Sequence, residues 1–181
     1  MLYVASGSNG QGEILAYTID PSSGQLSTPV PINAPTYLFE MHVDPTGKFL
    51  YASDFDMGAV RVYSINSSTG ILTEVTGSPF TSTQVTGNAS PTNNGVYVFA
   101  APLTKNGKVD AVTADFNAGT LQIVFNGALG QIPPAPGVFS FALSPGLSVI
   151  AAGDLNGDGV LDVVVINHTT SQVTTVLSQA Q

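Results

Sequence analysis

The densest chemistry in the chain lies in one short stretch. Asp154, Asn156, Asp158 and Asp162 fall within nine residues and include three of the nine aspartates, with Gly157 and Gly159 between them. No Lys or Arg follows Lys108, so the protein itself supplies no cation to offset their repulsion. Neighbouring carboxylates about 5 Å apart repel by roughly 1 to 3 kcal/mol at surface-like dielectric constants. A hard divalent cation removes that cost, and calcium is the ion that takes a set of oxygen ligands with flexible geometry. At loop positions 1, 3 and 5, Asp154, Asn156 and Asp158 can turn their oxygens inward. Gly159 permits the sharp turn, Val160 offers its backbone carbonyl and Asp162 closes the set at position 9. Position 12, where a helix-loop-helix calcium site needs an acid, is Val165, and Val163-Val164-Val165-Ile166 reads as a strand. The expectation is therefore a strand-to-strand calcium turn; the plain alternative is an Asp-Gly hairpin with solvated carboxylates.

Other candidates are sparser. Residues 102–110 resemble a degenerate copy of this loop, with Pro102, Thr104, Asn106 and Asp110 at the ligand positions and Lys105 and Lys108 beside them. Positive charge there disfavours a metal. Asp44, Asp54 and Asp56 form a second acidic group, with Glu40 and His42 close in sequence. On one strand, Glu40 and His42 two residues apart would share a face, so both could line a central channel; the alternative is a hydrogen-bonded histidine beside solvated carboxylates. His42 and His168 are the only histidines, and His168 sits in an apparent turn. No nucleophile elbow, phosphate loop, dinucleotide fingerprint or zinc helix motif is present in the sequence. The cations are Lys48, Arg61, Lys105 and Lys108; Arg61, in an alternating strand, is expected to lie along the surface with its charge in water.

These residues need elements to hold them, and the patterning supplies strands. The chain has 181 residues, 43% hydrophobic and 9% charged, which excludes disorder. Four basic against twelve acidic residues give a net charge of −8, which argues against nucleic-acid and membrane-surface partners. With no Cys there are no disulfides or thiolate sites. No segment suits membrane insertion, and no basic leader precedes Leu2-Tyr3-Val4-Ala5. Alternation is clean over Ala59–Ile65, placing Val60, Val62 and Ser64 on one face and Arg61, Tyr63 and Ile65 on the other. Turn chemistry (Asp44-Pro45-Thr46-Gly47, Ser68-Thr69-Gly70, Asp158-Gly159) separates the strands, and no helical period persists. Tyr17-Thr18-Ile19-Asp20 through Gly24-Gln25-Leu26 recurs as Tyr63-Ser64-Ile65-Asn66 through Gly70-Ile71-Leu72, and Leu2-Tyr3 as Leu50-Tyr51. In the second half Val109-Asp110-Ala111-Val112 recurs as Leu161-Asp162-Val163-Val164, and residues 120–125 as 172–177. Such periods, each carrying several short strands, predict an all-β propeller of about four blades of four-stranded antiparallel sheet in a single domain. Strands divide as three, four, four and three. An open count of this kind reads as a fragment of a longer propeller, a truncated chain, or a protomer that completes its blades by association, so a homo-oligomer stays open.

Two resemblances follow. Residues 1–80, through Leu2-Tyr3-Val4-Ala5-Ser6, Val43-Asp44-Pro45-Thr46-Gly47-Lys48-Phe49-Leu50-Tyr51-Ala52-Ser53 and Val60–Ile65, resemble the lactonase-type (YVTN-like) propellers. Residues 96–181, through Gly153-Asp154-Leu155-Asn156-Gly157-Asp158-Gly159-Val160-Leu161-Asp162, resemble FG-GAP or VCBS repeats, which implies calcium and an extracytoplasmic setting. Residues 81–95, rich in Thr, Ser and Asn, are the expected linker. The leading expectation is a noncatalytic, calcium-stabilised binding or structural scaffold of a secreted or cell-surface bacterial protein, with a protein or carbohydrate partner. The second is a lactonase-like enzyme acting on a lactone or sugar acid at the central channel.

Overall fold

The computed structural model describes residues 1–8, 11–54, 56–81, 96–104, 109–124 and 138–178. Its strands fall into four antiparallel sheets, and no helix occurs among the described residues. The first sheet holds β1 (Leu2–Ser8), β2 (Gln11–Tyr17) and β3 (Val30–Ala34). The second runs β4 (Leu38–Val43), β5 (Phe49–Asp54), β6 (Ala59–Ile65) and β7 (Leu72–Glu74), with the short β8 (Phe80–Thr81) also paired to β6. The third is β9 (Val96–Ala101), β10 (Asp110–Asp115), β11 (Thr120–Val124) and β12 (Val138–Ala142). The last is β13 (Leu147–Gly153), β14 (Asp162–Asn167) and β15 (Gln172–Val176). Consecutive strands pair in each sheet, as in propeller blades, and the expected division into three, four, four and three is met except for the added β8 of the second sheet. The predicted linker lies outside the described residues except for its first residue, Thr81, as do Lys105 to Lys108 of the degenerate loop.

One turn recurs in all four blades and crosses the boundary between the two resemblances. Asp20, Asn66, Asp115 and Asn167 each open it, at or just beyond the end of a strand, and the side-chain Oδ1 of each accepts the N–H three residues on, from Ser23, Thr69, Ala118 and Thr170. These Asx turns replace the ladder at the point where the chain reverses. The next residue must enter the left-handed region, and it is Gly24, Gly70 and Gly119 in the first three blades. In the fourth it is Ser171, at φ 55°, the one non-glycine with positive φ among the described residues. The turn residues are spaced about 46 to 52 residues apart, so one blade plan spans the whole chain.

Alternation within each strand sends side chains to two neighbouring blades. Ile14, Leu50, Tyr63 and Leu72 form a core between blades one and two. Tyr51, Val60 and Val62 meet Val96, Val98 and Ala111 between blades two and three. Val112, Ala114 and Leu121 meet Leu147, Ile150, Val163 and Val165 between blades three and four. The faces predicted for β6 are therefore right, with one correction. Arg61 does not lie along the surface: it is buried, and its Nε donates to Asp54 Oδ2 at 2.7 Å while Nη1 donates to Glu74 Oε1 at 2.8 Å. Buried guanidinium needs both acids, because an unpaired charge there would be destabilising. Sequence alternation gave the direction of the side chain but not the carboxylates waiting for it.

Candidate functional site

The three acids expected to form a second cluster have three separate structural duties. Asp54 is paired with Arg61 and also accepts a hydrogen bond from the Thr36 hydroxyl at 2.6 Å. Buried Asp44 closes its own turn, accepting from the Thr46 hydroxyl and from the Lys48 and Phe49 amides at 2.8 Å. Asp56 accepts the Tyr37 N–H at 3.2 Å.

Glu40 and His42 are different. They lie on β4, whose edge is packed against β9 of the next blade. Pairing of β4 with β5 shifts register between Leu38 and Met41, a bulge that breaks strict alternation. Consequently Phe39, Glu40 and His42 all reach β9. Phe39 meets the Tyr97 ring edge-on at 5.6 Å, and His42 lies over Phe99 with ring centroids 4.1 Å apart. Burial lifts the Glu40 carboxyl to about 7, although the Val98 N–H bonded to it pulls the other way. Its Oε2 is enclosed and has no hydrogen-bond partner. His42 is held below the ordinary imidazole range by burial. The Tyr97 phenol is raised, by burial first and by the Glu40 charge second. Tyr97 and Phe99, absent from the sequence-based candidates, also pack towards the core between blades three and four. Their signal was present in Val96-Tyr97-Val98-Phe99, an alternating strand with aromatics on one face.

Around the 154–162 loop the oxygens meet backbone amides. Asp154 Oδ1 accepts from Gly157 at 2.7 Å and Oδ2 from Gly159 at 2.9 Å. Asn156 Oδ1 accepts from Asp158 at 2.9 Å, and Asp158 Oδ1 from Val160 at 2.8 Å. Asp154, Asn156 and Asp158 thus circle one turn. Asp162 is buried at the start of β14, bonded to the Leu155 and Ser178 amides, both at 2.9 Å, and to the Ser178 hydroxyl. Burial pushes its carboxyl up, but these donors outweigh it and hold the group below its usual value. Asp110 does the same in the degenerate copy, accepting from Leu103 across the same separation. No three His, Cys, Asp or Glu side chains stand together as a metal-binding group among the described residues. The donor types suit calcium, but the third carboxylate is engaged elsewhere. His168 is exposed, as its turn position predicted.

Comparison with known proteins places this geometry. A family model described as Lactonase, 7-bladed beta-propeller, matches residues 1–93, and one for the FG-GAP-like repeat matches residues 103–165. The 6-phosphogluconolactonase of Pectobacterium carotovorum subsp. carotovorum (strain PC1) is 29% identical over 124 residues, covering 65% of this chain and 36% of its own. A solved protein of Lactobacillus plantarum superposes with TM-score 0.54 at 16% identity, over 96% of this chain and 51% of that one. A candidate 6-phosphogluconolactonase of Bacteroides fragilis NCTC 9343 gives 0.55 at 17%, over 98% and 56%. The chain therefore spans about half the length of these solved relatives and 36% of the curated one.

These likenesses overturn the expectation of a noncatalytic scaffold, and with it the lean away from an enzyme. They overturn the extracytoplasmic setting too, which rested on the FG-GAP resemblance alone. The physical reason is that Asp110 and Asp162, which carry that resemblance, hold the hairpins of blades three and four by accepting backbone amides, a structural duty tied to no compartment. Residues 1–93, more than half of the chain, carry the lactonase pattern, and the protein belongs to the lactonase seven-bladed β-propeller family.

Proposed function

We propose that the β4–β9 face serves lactone hydrolysis, on a sugar-acid lactone. The observation that carries this reading is Glu40: a half-buried carboxylate with an unpartnered oxygen, titrating at about 7, beside His42. A base of that strength is half ionised at neutral pH, where proton transfer in both directions is fastest. Glu40 would take a proton from water as the oxygen attacks the lactone carbonyl. The resulting acid returns that proton to the ring oxygen as the acyl bond breaks, leaving the hydroxy acid and a regenerated carboxylate. His42, kept neutral by burial, would orient water or ring oxygen, and Phe99 and Tyr97 would hold the sugar ring's apolar face. The curated relative's name supplies the substrate class, a gluconolactone. A phosphate on that substrate would need a cation, and Arg61 is already committed to Asp54 and Glu74, so the test compares the lactone with and without its phosphate.

The test is stopped-assay hydrolysis of glucono-δ-lactone and its 6-phosphate at pH 7.5. Glu40→Gln is expected to lower kcat by 10²-fold or more, the usual weight of a general base. An unchanged kcat overturns the role of Glu40. For the acidic loop we propose calcium, held by Asp154, Asn156 and Asp158 with the Val160 carbonyl; the donor types support it.

A further inference from the structure

The seam between blades two and three is apolar at one end and polar at the other. Tyr51, Val62, Ala100 and Ala111 fill the apolar end. Two residues on from Tyr51, Ser53 lies on the same face of β5, and Thr113 and Asp115 follow Ala111 on the same face of β10. Strand pairing adds Gln122 opposite Thr113 and Thr120 opposite Asp115, both of them buried. Register brings these polar residues to one end of the seam. Phe39 meets Tyr97 and the Val98 N–H is bonded to Glu40, so β4 and β9 lie level and run in the same direction. Ser53 stands near the level of Glu40, because its neighbour Asp54 is opposite Leu38; on the facing wall Thr113 is opposite Val98 and Asp115 opposite Val96. Glu40 Oε2, Ser53 Oγ, Thr113 Oγ1 and Asp115 Oδ2 are each enclosed with no hydrogen-bond partner. Ser53, Thr113 and Asp115 are 1%, 0% and 1% exposed. A buried polar group without a partner is costly, and native interiors meet such groups with protein or with ordered water. Both sheets that wall this seam belong to the chain, so its burial does not depend on further blades.

We propose that ordered water occupies the polar end of this seam and bridges Glu40 to Ser53, Thr113 and Asp115, which makes Ser53 and Thr113 positioning residues for Glu40. The set of groups selects water. Two carboxylate oxygens need donors, and two hydroxyls need both a donor and an acceptor. Water supplies both, and a buried water commonly makes about three such bonds. A metal ion would serve the lone pairs and leave both hydroxyl hydrogens unmet. Thr113 and Asp115 alone are two residues apart along β10, a span of roughly 7 Å, so more than one water is required. The bound water stands independently of the lactonase reading. Its consequence rests on that reading: a water on Glu40 Oε2 is the one from which Glu40 takes its proton, and the seam holds it in place.

A high-resolution crystal structure of the 181-residue chain tests the inference directly. Density should place water within about 3.2 Å of Glu40 Oε2, Ser53 Oγ and Thr113 Oγ1. A dry seam overturns the proposal, and so does an ion with ligand distances near about 2.4 Å. Urea midpoints give a second readout, by sign. Thr113→Val keeps the shape of the side chain and deletes the hydroxyl. In a dry seam that removes an unmet group and raises the midpoint; in a hydrated one it strips a water of its partner and lowers it. Ser53→Ala should lower the midpoint too, and the double variant should lose less than the sum, because one water network serves both. A raised midpoint, or strictly additive losses, overturns the network. For the consequence, Thr113→Val should lower kcat towards glucono-δ-lactone several-fold with KM unchanged, and should have no further effect in Glu40→Gln. An unchanged kcat overturns the positioning role. Wild type without any hydrolysis overturns the lactonase reading instead, and the density and the midpoints still decide the water.

Discussion

At the scale of single residues, Glu40 shares with Asp115 a buried carboxylate oxygen that has no partner, but its other oxygen has one amide donor where Asp115 has two. Asp44 and Asp54 are also buried, but each is surrounded by donors. Glu40 has one amide and an idle oxygen. Its folded-state value of about 7 exceeds that of an unfolded glutamate, near 4.5, so the native state holds its proton more tightly. Stability from this group is thus complete below about 4.5 and falls as pH rises towards about 7. Glu40→Gln, which keeps the shape and cannot ionise, should flatten that slope. Urea midpoints measured between pH 4.5 and 8 check this: wild type should lose stability relative to the variant across the window. His42 acts in the opposite sense. Its value is lowered, so its contribution is lost as pH falls below the ordinary imidazole range. The difference between wild type and Glu40→Gln removes the His42 part, which is common to both proteins. Parallel curves would show that Glu40 titrates as an ordinary surface glutamate.

At the scale of elements, one hairpin design carries two jobs in the 154–162 loop. Asp162 anchors the loop to β14 and to Ser178, as Asp110 anchors its counterpart. Asp154, Asn156 and Asp158 shape the turn itself. If calcium binds the turn, a hundredfold excess over its dissociation constant adds about 2.7 kcal/mol, which raises Tm by several degrees in a domain of this size. Asp158→Ala should abolish that rise. Asp162→Ala should instead lower Tm equally with calcium and with chelator, because it releases amides rather than an ion. Thermal scans of the three proteins in both buffers decide it, and no rise in wild type removes calcium from the loop. Blade architecture was legible in the sequence because turn residues and strand alternation are local signals. Asp20, Asn66 and Gly70 announce their turn by type alone. The β4–β9 face was legible only in part. Glu40 and His42 were visible as a pair, but a bulge between Leu38 and Met41 and the arrival of Tyr97 and Phe99 depend on contact between blades. Arg61 failed to declare itself for a different reason, within one blade: its partners lie on the strands at either side, β5 and β7.

At the scale of the whole molecule, every core in the described structure lies between blades, so no blade is stable alone. The functional face obeys the same rule. His42 belongs to blade two, Phe99 to blade three, and Phe99 leans in turn on the core shared with blade four. Anything that sharpens the packing of blade four therefore firms the floor beneath His42. Phe99→Ala should therefore lower the urea midpoint and the rate of lactone hydrolysis together, because it takes the ring from beneath His42 and a contact from the blade-four core at once. Urea titrations and steady-state rates on the same preparations provide the measurement. A variant that loses stability with kcat unchanged would make Phe99 a core residue alone and leave the chemistry to Glu40 and His42.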